Sequence, residues 1–154
     1  MSTYSQLNYH IVFGTKFRQK SITATVAPRL YEYIGGIIRR LKGIQLEIGG
    51  IEDHIHILLD IRPALAVADA VKEIKACSTK WVHEEFKTHD KFSWQVGYSA
   101  FTVSYSNVEA VKNYIQNQAE HHRERTFHEE YIELLKRHGI DYQEKHLFEG
   151  EHAG

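Results

Sequence analysis

The order in which two hydrophobic periods alternate along the chain constrains its fold more than any other feature. Leu7, Tyr9, Ile11 and Phe13 fall on one face of a stretch rich in β-branched and aromatic residues, the two-residue period of a strand. After Pro28, Leu30, Ile34, Ile37, Ile38 and Leu41 recur at helical spacing, and Gly43 is the expected stop. Ile44-Gln45-Leu46-Glu47-Ile48 returns to strict alternation, Gly49-Gly50 reads as a break, and His54 to Leu59 reads as a more fully buried strand closed by Arg62-Pro63. Val67, Val71, Ile74, Trp81 and Phe86 predict a helix over 67–86, and a further strand lies within Trp94 to Ser104, clearest at Tyr98 to Val103. Ser106, with Glu109 three residues on, is a helix-start signature. The helix it opens runs through Val111, Tyr114, Ile115 and Gln118, and a last helical piece spans Phe127 to Arg137.

Strand, helix, strand, strand, helix, strand is the order of an α+β, ferredoxin-like split βαβ fold. It is an antiparallel sheet with two crossover helices on one face, here followed by a further helix and a helical tail. At 154 residues, with no repeat, linker or low-complexity tract, residues 1–154 read as a single domain.

Charge narrows the function classes. A net charge of −1 excludes a uniformly basic nucleic-acid binder, so any such role must rest on local patches and site chemistry. Cys77 is the one cysteine, so no intramolecular disulfide can form, which suits a reducing cytoplasm. The N-terminus has no basic region followed by an apolar run, and no segment approaches the roughly 18 unbroken apolar residues of a membrane span. The expectation is a soluble, cytoplasmic protein without a membrane partner.

Two spacings carry chemistry. His54 and His56, two apart on a strand, project to the same side while Ile55 and Ile57 face the opposite layer. A pair of imidazoles on a rigid strand makes half of a metal site, although a bare His-x-His is equally the pattern of two structural histidines. Tyr114 and Gln118, four apart, share a helix face in the unusually polar run Asn113-Tyr114-Ile115-Gln116-Asn117-Gln118. A lone tyrosine is most often packed with a wet hydroxyl; a phenol that attacks needs a charge-stabilising centre beside it.

These motifs resemble the single-tyrosine HUH (His, hydrophobic, His) transposases of the insertion-sequence 200/605 type, and the related transposases of repetitive extragenic palindromic elements. The likeness rests on Asp53-His54-Ile55-His56-Ile57-Leu58 and Tyr114-Ile115-Gln116-Asn117-Gln118. Tyr9 to Lys16, Trp94-Gln95-Val96-Gly97-Tyr98 and Gly139-Ile140-Asp141-Tyr142 extend it over nearly the whole chain. The resemblance implies a DNA transposase in which His54, His56 and Gln118 bind a divalent metal, Mg²⁺ or Mn²⁺, and Tyr114 is the nucleophile. It implies cleavage and rejoining of single-stranded DNA through a covalent 5′-phosphotyrosine. It further implies hairpin ends of a mobile element as substrate and a homodimer whose sites are completed in trans.

Secondary signals are weaker. Lys16, Arg18 and Lys20 follow the first strand, Arg39, Arg40 and Lys42 close the first helix, and Arg123 and Arg125 follow Gln118. Together they are candidates for a phosphate-binding track, with acidic residues gathered elsewhere at Glu129-Glu130 and Glu149-Gly150-Glu151. Phe17, Tyr98 and Phe101 are candidates for stacking on bases, against the plainer reading of packing. His121 and His122 rival Gln118 as ligand, with Gln118 preferred for its direct motif match. His10 is a candidate for supporting the histidine pair, and Asp53 for a turn or a catalytic role. Three other readings stay open: a domesticated, DNA-binding relative that no longer transposes, a metal-dependent hydrolase without covalent catalysis, and an interaction module without chemistry.

Overall fold

Strands β1 (Asn8–Gly14), β2 (Ile44–Ile51), β3 (His54–Asp60) and β4 (Ser99–Val103) pair in the order β2-β3-β1-β4, every neighbour antiparallel. They belong to a computed structural model that describes residues 2–148, so Glu149 and Glu151 lie outside the described residues. The order is that of the split βαβ fold, with helices α1 (Val26–Arg40) and α2 (Val67–Glu85) as the crossovers. Ile11, Phe13, Ile55, Ile57 and Leu59 face these two helices and pack with Leu30, Ile34, Ile38, Val71 and Ile74. Each such fully buried side chain contributes about 1.5–3 kcal/mol, so this layer holds the sheet rigid.

The alternate positions of the central strands, His10 and Val12 on β1 and His54 and His56 on β3, point to the opposite face. That face is covered by α3 (Val108–Gln116), α4 (Gln118–His121) and α5 (Phe127–Arg137). Val12, Phe101, Phe127, Tyr131, Leu134 and Leu135 form a second core there. The chain therefore buries both faces of the sheet, and the polar groups on the second face must find partners inside the protein.

Several local expectations are corrected. Gly49 and Gly50 do not break the chain but lie within β2. A Cβ on Gly49 would stand 2.8 Å from the Ile115 carbonyl oxygen, so the missing side chain is what lets α3 approach the sheet. The alternation of Ile44 to Ile48 is interrupted by a register shift between Gln45 and Glu47, which leaves Ile44 exposed and Ile48 in the core. The first helix begins at Val26, before Pro28, and Lys42 rather than Gly43 takes the left-handed conformation after it (φ 64°). The second helix stops at Glu85, one residue short of Phe86. Within Trp94 to Ser104 only Ser99–Val103 is a strand, with a single bridge from Trp94 to Thr15.

Ser106 does not cap α3. It lies in a 3₁₀ turn, its hydroxyl beside that of Ser104, and the preceding residue of α3 is Asn107. A reciprocal capping box opens α5 instead, where Thr126 and Glu129 satisfy each other's backbone. The helix expected to carry both Tyr114 and Gln118 is broken at Asn117 (φ −101°, ψ 26°), so the two residues sit in α3 and α4 respectively.

Candidate active site

The site forms where β3, α3, α4 and α5 meet. His54 and His56 are brought there by strand alternation and are completely buried. His54 is stacked on Phe127 at 4.1 Å between centroids with planes 10° apart. Phe127 reaches that position because β1 ends in a glycine: a Cβ on Gly14 would lie 2.6 Å from its ring.

At the centre is Glu130, a carboxylate with no exposure to solvent. Its Oε1 lies 3.2 Å from His54 Nε2, 3.3 Å from His56 Nε2 and 3.0 Å from His122 Nε2. Its other oxygen, Oε2, accepts hydrogen bonds from Gln118 Nε2 at 3.1 Å and from the Tyr114 hydroxyl. Gln118 turns its amide oxygen toward His54 Nε2 (2.9 Å) and His122 Nε2 (3.2 Å). Thus the four residues expected from sequence, His54, His56, Tyr114 and Gln118, are gathered around one side chain that the sequence reading left out.

The sequence groups Glu130 with Glu129 apart from the basic residues, and the structure puts it at the centre of the histidine site. The signal that marks it was available: Phe127, Glu130, Tyr131, Leu134 and Leu135 are the buried residues of α5, and Glu130 is the one charge in that apolar stripe. His122, set aside in favour of Gln118, does not exclude it, since both side chains reach the centre. His10 reaches the pair, with its Nε2 2.8 Å from His56 Nδ1 in a buried contact. Asp53 is more than a turn residue, because its carboxylate lies 2.8 Å from His54 Nδ1.

Burial and the shared carboxylate set the electrostatics. Burial opposes charge on His54, but its bonds to Asp53 and Glu130 outweigh that and raise its pKa to about 9. For His56 burial wins over the pull of Glu130, and its pKa falls to about 4. His10 is likewise held well below the ordinary range, by burial and then by His56. Glu130 keeps its charge against burial because three imidazoles bond to it, His122 foremost, and this holds its carboxyl far below the usual range. Tyr114 is pushed upward by burial and by the negative charge of Glu130.

The donor set suits a small divalent cation: imidazole nitrogens, an amide oxygen and a carboxylate converge, with ligand atoms of His54, His122 and Glu130 all within 4.8 Å of one another.

The basic residues divide between two layers. Arg39 and Arg40 line a groove of about 410 Å³ with Tyr33 and Trp81 on the crossover-helix side, across the sheet from His54. Arg40 pairs with Glu73, Arg123 with Glu120 and Arg125 with Glu133. Arg18 lies over the Phe148 ring at 3.9 Å, Lys16 is half-buried, and Lys20 is exposed. They do not form one continuous track. Phe17 and Tyr98 are exposed, whereas Phe101 is buried and stacked on His138 at 3.9 Å, which removes it as a base platform.

An antiparallel split βαβ sheet with a buried histidine pair on one strand and a tyrosine brought against it defines a small α+β protein with a candidate tyrosine–histidine active site. The model for IS200-like transposases matches residues 3–118, and the chain belongs to that family. It is 31% identical over 121 residues to the transposase for insertion sequence element IS200 of Salmonella typhimurium, covering 73% of this chain and 76% of that one. It is 29% identical over 120 residues to the ISDra2 transposase TnpA of Deinococcus radiodurans, covering 73% and 84%. Two solved structures share the fold. One is a candidate transposase of Deinococcus radiodurans (TM-score 0.65, 24% identity, 77% of this chain and 95% of that one). The other is a REP-associated tyrosine transposase bound to a REP hairpin (TM-score 0.60, 15% identity, 80% and 75%). Membership of this family implies a DNA-cleaving enzyme. Among the described residues no helix is long and apolar enough to cross a membrane.

Proposed function

We propose that this chain cleaves and rejoins single-stranded DNA through a covalent 5′-phosphotyrosine on Tyr114, with His54, His56 and Gln118 holding a divalent metal, Mg²⁺ or Mn²⁺. The observation that carries the reading is the shared carboxylate: the Tyr114 hydroxyl and the Nε2 atoms of both histidines meet at Glu130. A nucleophile and a ligand pair are therefore held within one side chain's reach of each other. In the reaction Tyr114 Oη forms a bond to phosphorus, the bond from phosphorus to the 3′ oxygen breaks, the phenolic proton passes to water and the 3′ oxygen takes one up. The phosphodiester energy is kept in the tyrosine ester, so a free 3′-hydroxyl can reverse the step without ATP. Burial and Glu130 both oppose ionisation of the phenol. A bound divalent cation supplies the positive charge that offsets this and stabilises charge on the phosphoryl oxygens.

The substrate we propose is a hairpin end of the mobile element, in line with the hairpin bound by the REP-associated relative. The assembly we propose is a homodimer in which α3 of each subunit takes, in its partner's site, the place beside Glu130 that it holds within one chain. It is supported by β4, an edge strand of the sheet that offers a row of backbone groups for pairing across a two-fold axis.

The test is incubation with labelled single strands from the ends of the encoding element in the presence of Mn²⁺, followed by a denaturing gel. A protein–DNA species that withstands denaturation is expected. Cleavage without such a species would favour a metal-dependent hydrolase, and neither cleavage nor adduct would favour a binding role.

A further inference from the structure

The family match ends at residue 118, yet two of the side chains that meet Glu130's partners lie beyond it: His122 and Glu130 itself. Three observations bear on their role. First, Glu130 Oε1 stands 3.0–3.3 Å from the Nε2 atoms of His54, His56 and His122, and Gln118 Oε1 stands 2.9–3.2 Å from those of His54 and His122; the ligand atoms of His54, His122 and Glu130 lie within 4.8 Å of one another, and His56 adjoins that set at Glu130. An octahedral ion with bonds of about 2.1 Å spaces adjacent ligands about 3.0 Å apart.

Second, each of the three imidazoles is turned the same way. The Nε2 atoms of His54, His56 and His122 face the centre. Their Nδ1 atoms are occupied outside it, by the Asp53 carboxylate at 2.8 Å, by His10 at 2.8 Å and by the Arg125 carbonyl at 2.9 Å. An outer partner on one ring nitrogen, with the other nitrogen turned to the centre, is the orientation seen around metal-ligating histidines. His122 has it as fully as the two strand histidines do. Third, Glu130 supplies a completely buried carboxylate that is aimed into the same space.

We propose that His122 and Glu130 join His54, His56 and Gln118 in a five-donor site, and that this site takes a transition-metal ion such as Mn²⁺ in preference to Mg²⁺. The inference rests on the metal reading above and extends it. Two histidines and an amide leave most positions to water, which Mg²⁺ tolerates; three imidazoles and a carboxylate favour ions that bind nitrogen well. Because the second oxygen of Glu130 holds the Tyr114 hydroxyl, the same residue that ligates the ion places the nucleophile beside it.

Calorimetric titration of the full chain with MnCl₂ and with MgCl₂ tests this. Mn²⁺ is expected to bind at least about tenfold more tightly than Mg²⁺, and Glu130→Gln and His122→Ala are each expected to weaken Mn²⁺ by about tenfold or more. Mg²⁺ binding within tenfold of Mn²⁺, or a smaller effect in either variant, would overturn the five-donor site. Pulsed EPR of the Mn²⁺-loaded wild-type chain gives a readout that no variant's folding can confuse. Coupling to three imidazole nitrogens is expected, and coupling to two or fewer would overturn the assignment. Loss of the covalent adduct with three-nitrogen coupling retained would count against the Tyr114 reading and leave this one standing.

Discussion

The hydroxyl of Tyr114 donates its hydrogen bond to Glu130, a fully buried carboxylate carried sixteen residues further on by a different helix. The ring itself is half-buried, 5.6 Å from that of His56 and 4.6 Å from that of His121. Tyr114→Phe therefore keeps the packing surface and removes one donor from a carboxylate that has four other partners. The variant is expected to lose the covalent DNA adduct entirely while stability changes by no more than about 1 kcal/mol. Thermal melts and a denaturing gel check both halves; an adduct that persists in the phenylalanine variant sinks the nucleophile assignment.

Removing a histidine should act differently. His54→Ala or His56→Ala is expected to abolish metal-dependent cleavage and to leave the strand in place, because Ile55, Ile57 and Leu59 anchor its opposite face. Both rings are completely buried and hydrogen-bonded, so each variant also loses about 1–3 kcal/mol in chelator-treated protein. Mn²⁺ calorimetry and chemical denaturation measure the two effects. Unchanged Mn²⁺ affinity in both variants would count decisively against the site.

The order of strands and helices was legible because each element carries a clear period over several residues, and the histidine pair because strand alternation fixes its direction. What escaped was decided by contacts distant in sequence. Gly49 looked like a break, since nothing local says that the Ile115 carbonyl will press on it. Tyr114 and Gln118 read as one helix face because nothing local marks the break at Asn117, across which both side chains still reach Glu130. Glu130 itself was hidden beside Glu129, an exposed residue that caps the helix with Thr126. One step in burial separates a surface carboxylate from the hub of the site, and adjacent glutamates in a sequence do not reveal which is which.

The two strand histidines predict a maximum in stability with pH when metal is withheld. The pKa of His54, about 9 in the fold, lies above its ordinary value of about 6.5. The stability it contributes is complete below the ordinary value and is lost as pH rises toward 9. The pKa of His56 is about 4, so the folded state resists a proton that the unfolded chain accepts, and stability is lost as pH falls below about 6.5. His10 shifts in the same direction and steepens the acid side. Melting temperatures in EDTA should therefore peak near pH 6.5, and His54→Gln should flatten the alkaline limb. A profile that is level from there to pH 9 contradicts the assigned cause.

Gly49 links the sheet to the nucleophile. In Gly49→Ala the new methyl group meets the Ile115 carbonyl at 2.8 Å, and α3 must move outward to relieve it. Ile115 follows Tyr114 directly, so the displacement carries the hydroxyl away from Glu130. The expected result is a fold destabilised by about 1–3 kcal/mol and a cleavage rate reduced by about a hundredfold, with DNA affinity little changed. A wild-type rate would mean that α3 does not hold Tyr114 through this contact.

Subunit exchange decides how the site is completed. Within one chain Tyr114 already reaches Glu130, while the dimer proposed above has α3 crossing to the partner through the mostly polar junction Ser104-Tyr105-Ser106-Asn107. Neither a Tyr114→Phe homodimer nor a His54→Ala homodimer can cut under either arrangement. In a mixed dimer with crossed helices, one site carries both defects and the other carries neither. Equal mixing and full re-equilibration make about half the dimers mixed, so about a quarter of wild-type activity should return. If each chain uses its own tyrosine, every site in the mixed dimer keeps a single defect and activity stays at background. Native mass spectrometry confirms that heterodimers have formed, and the cleavage assay then reads the outcome. Recovery near a quarter supports the crossed helices; no recovery from verified heterodimers removes them and leaves the chemistry of Tyr114 as it stands.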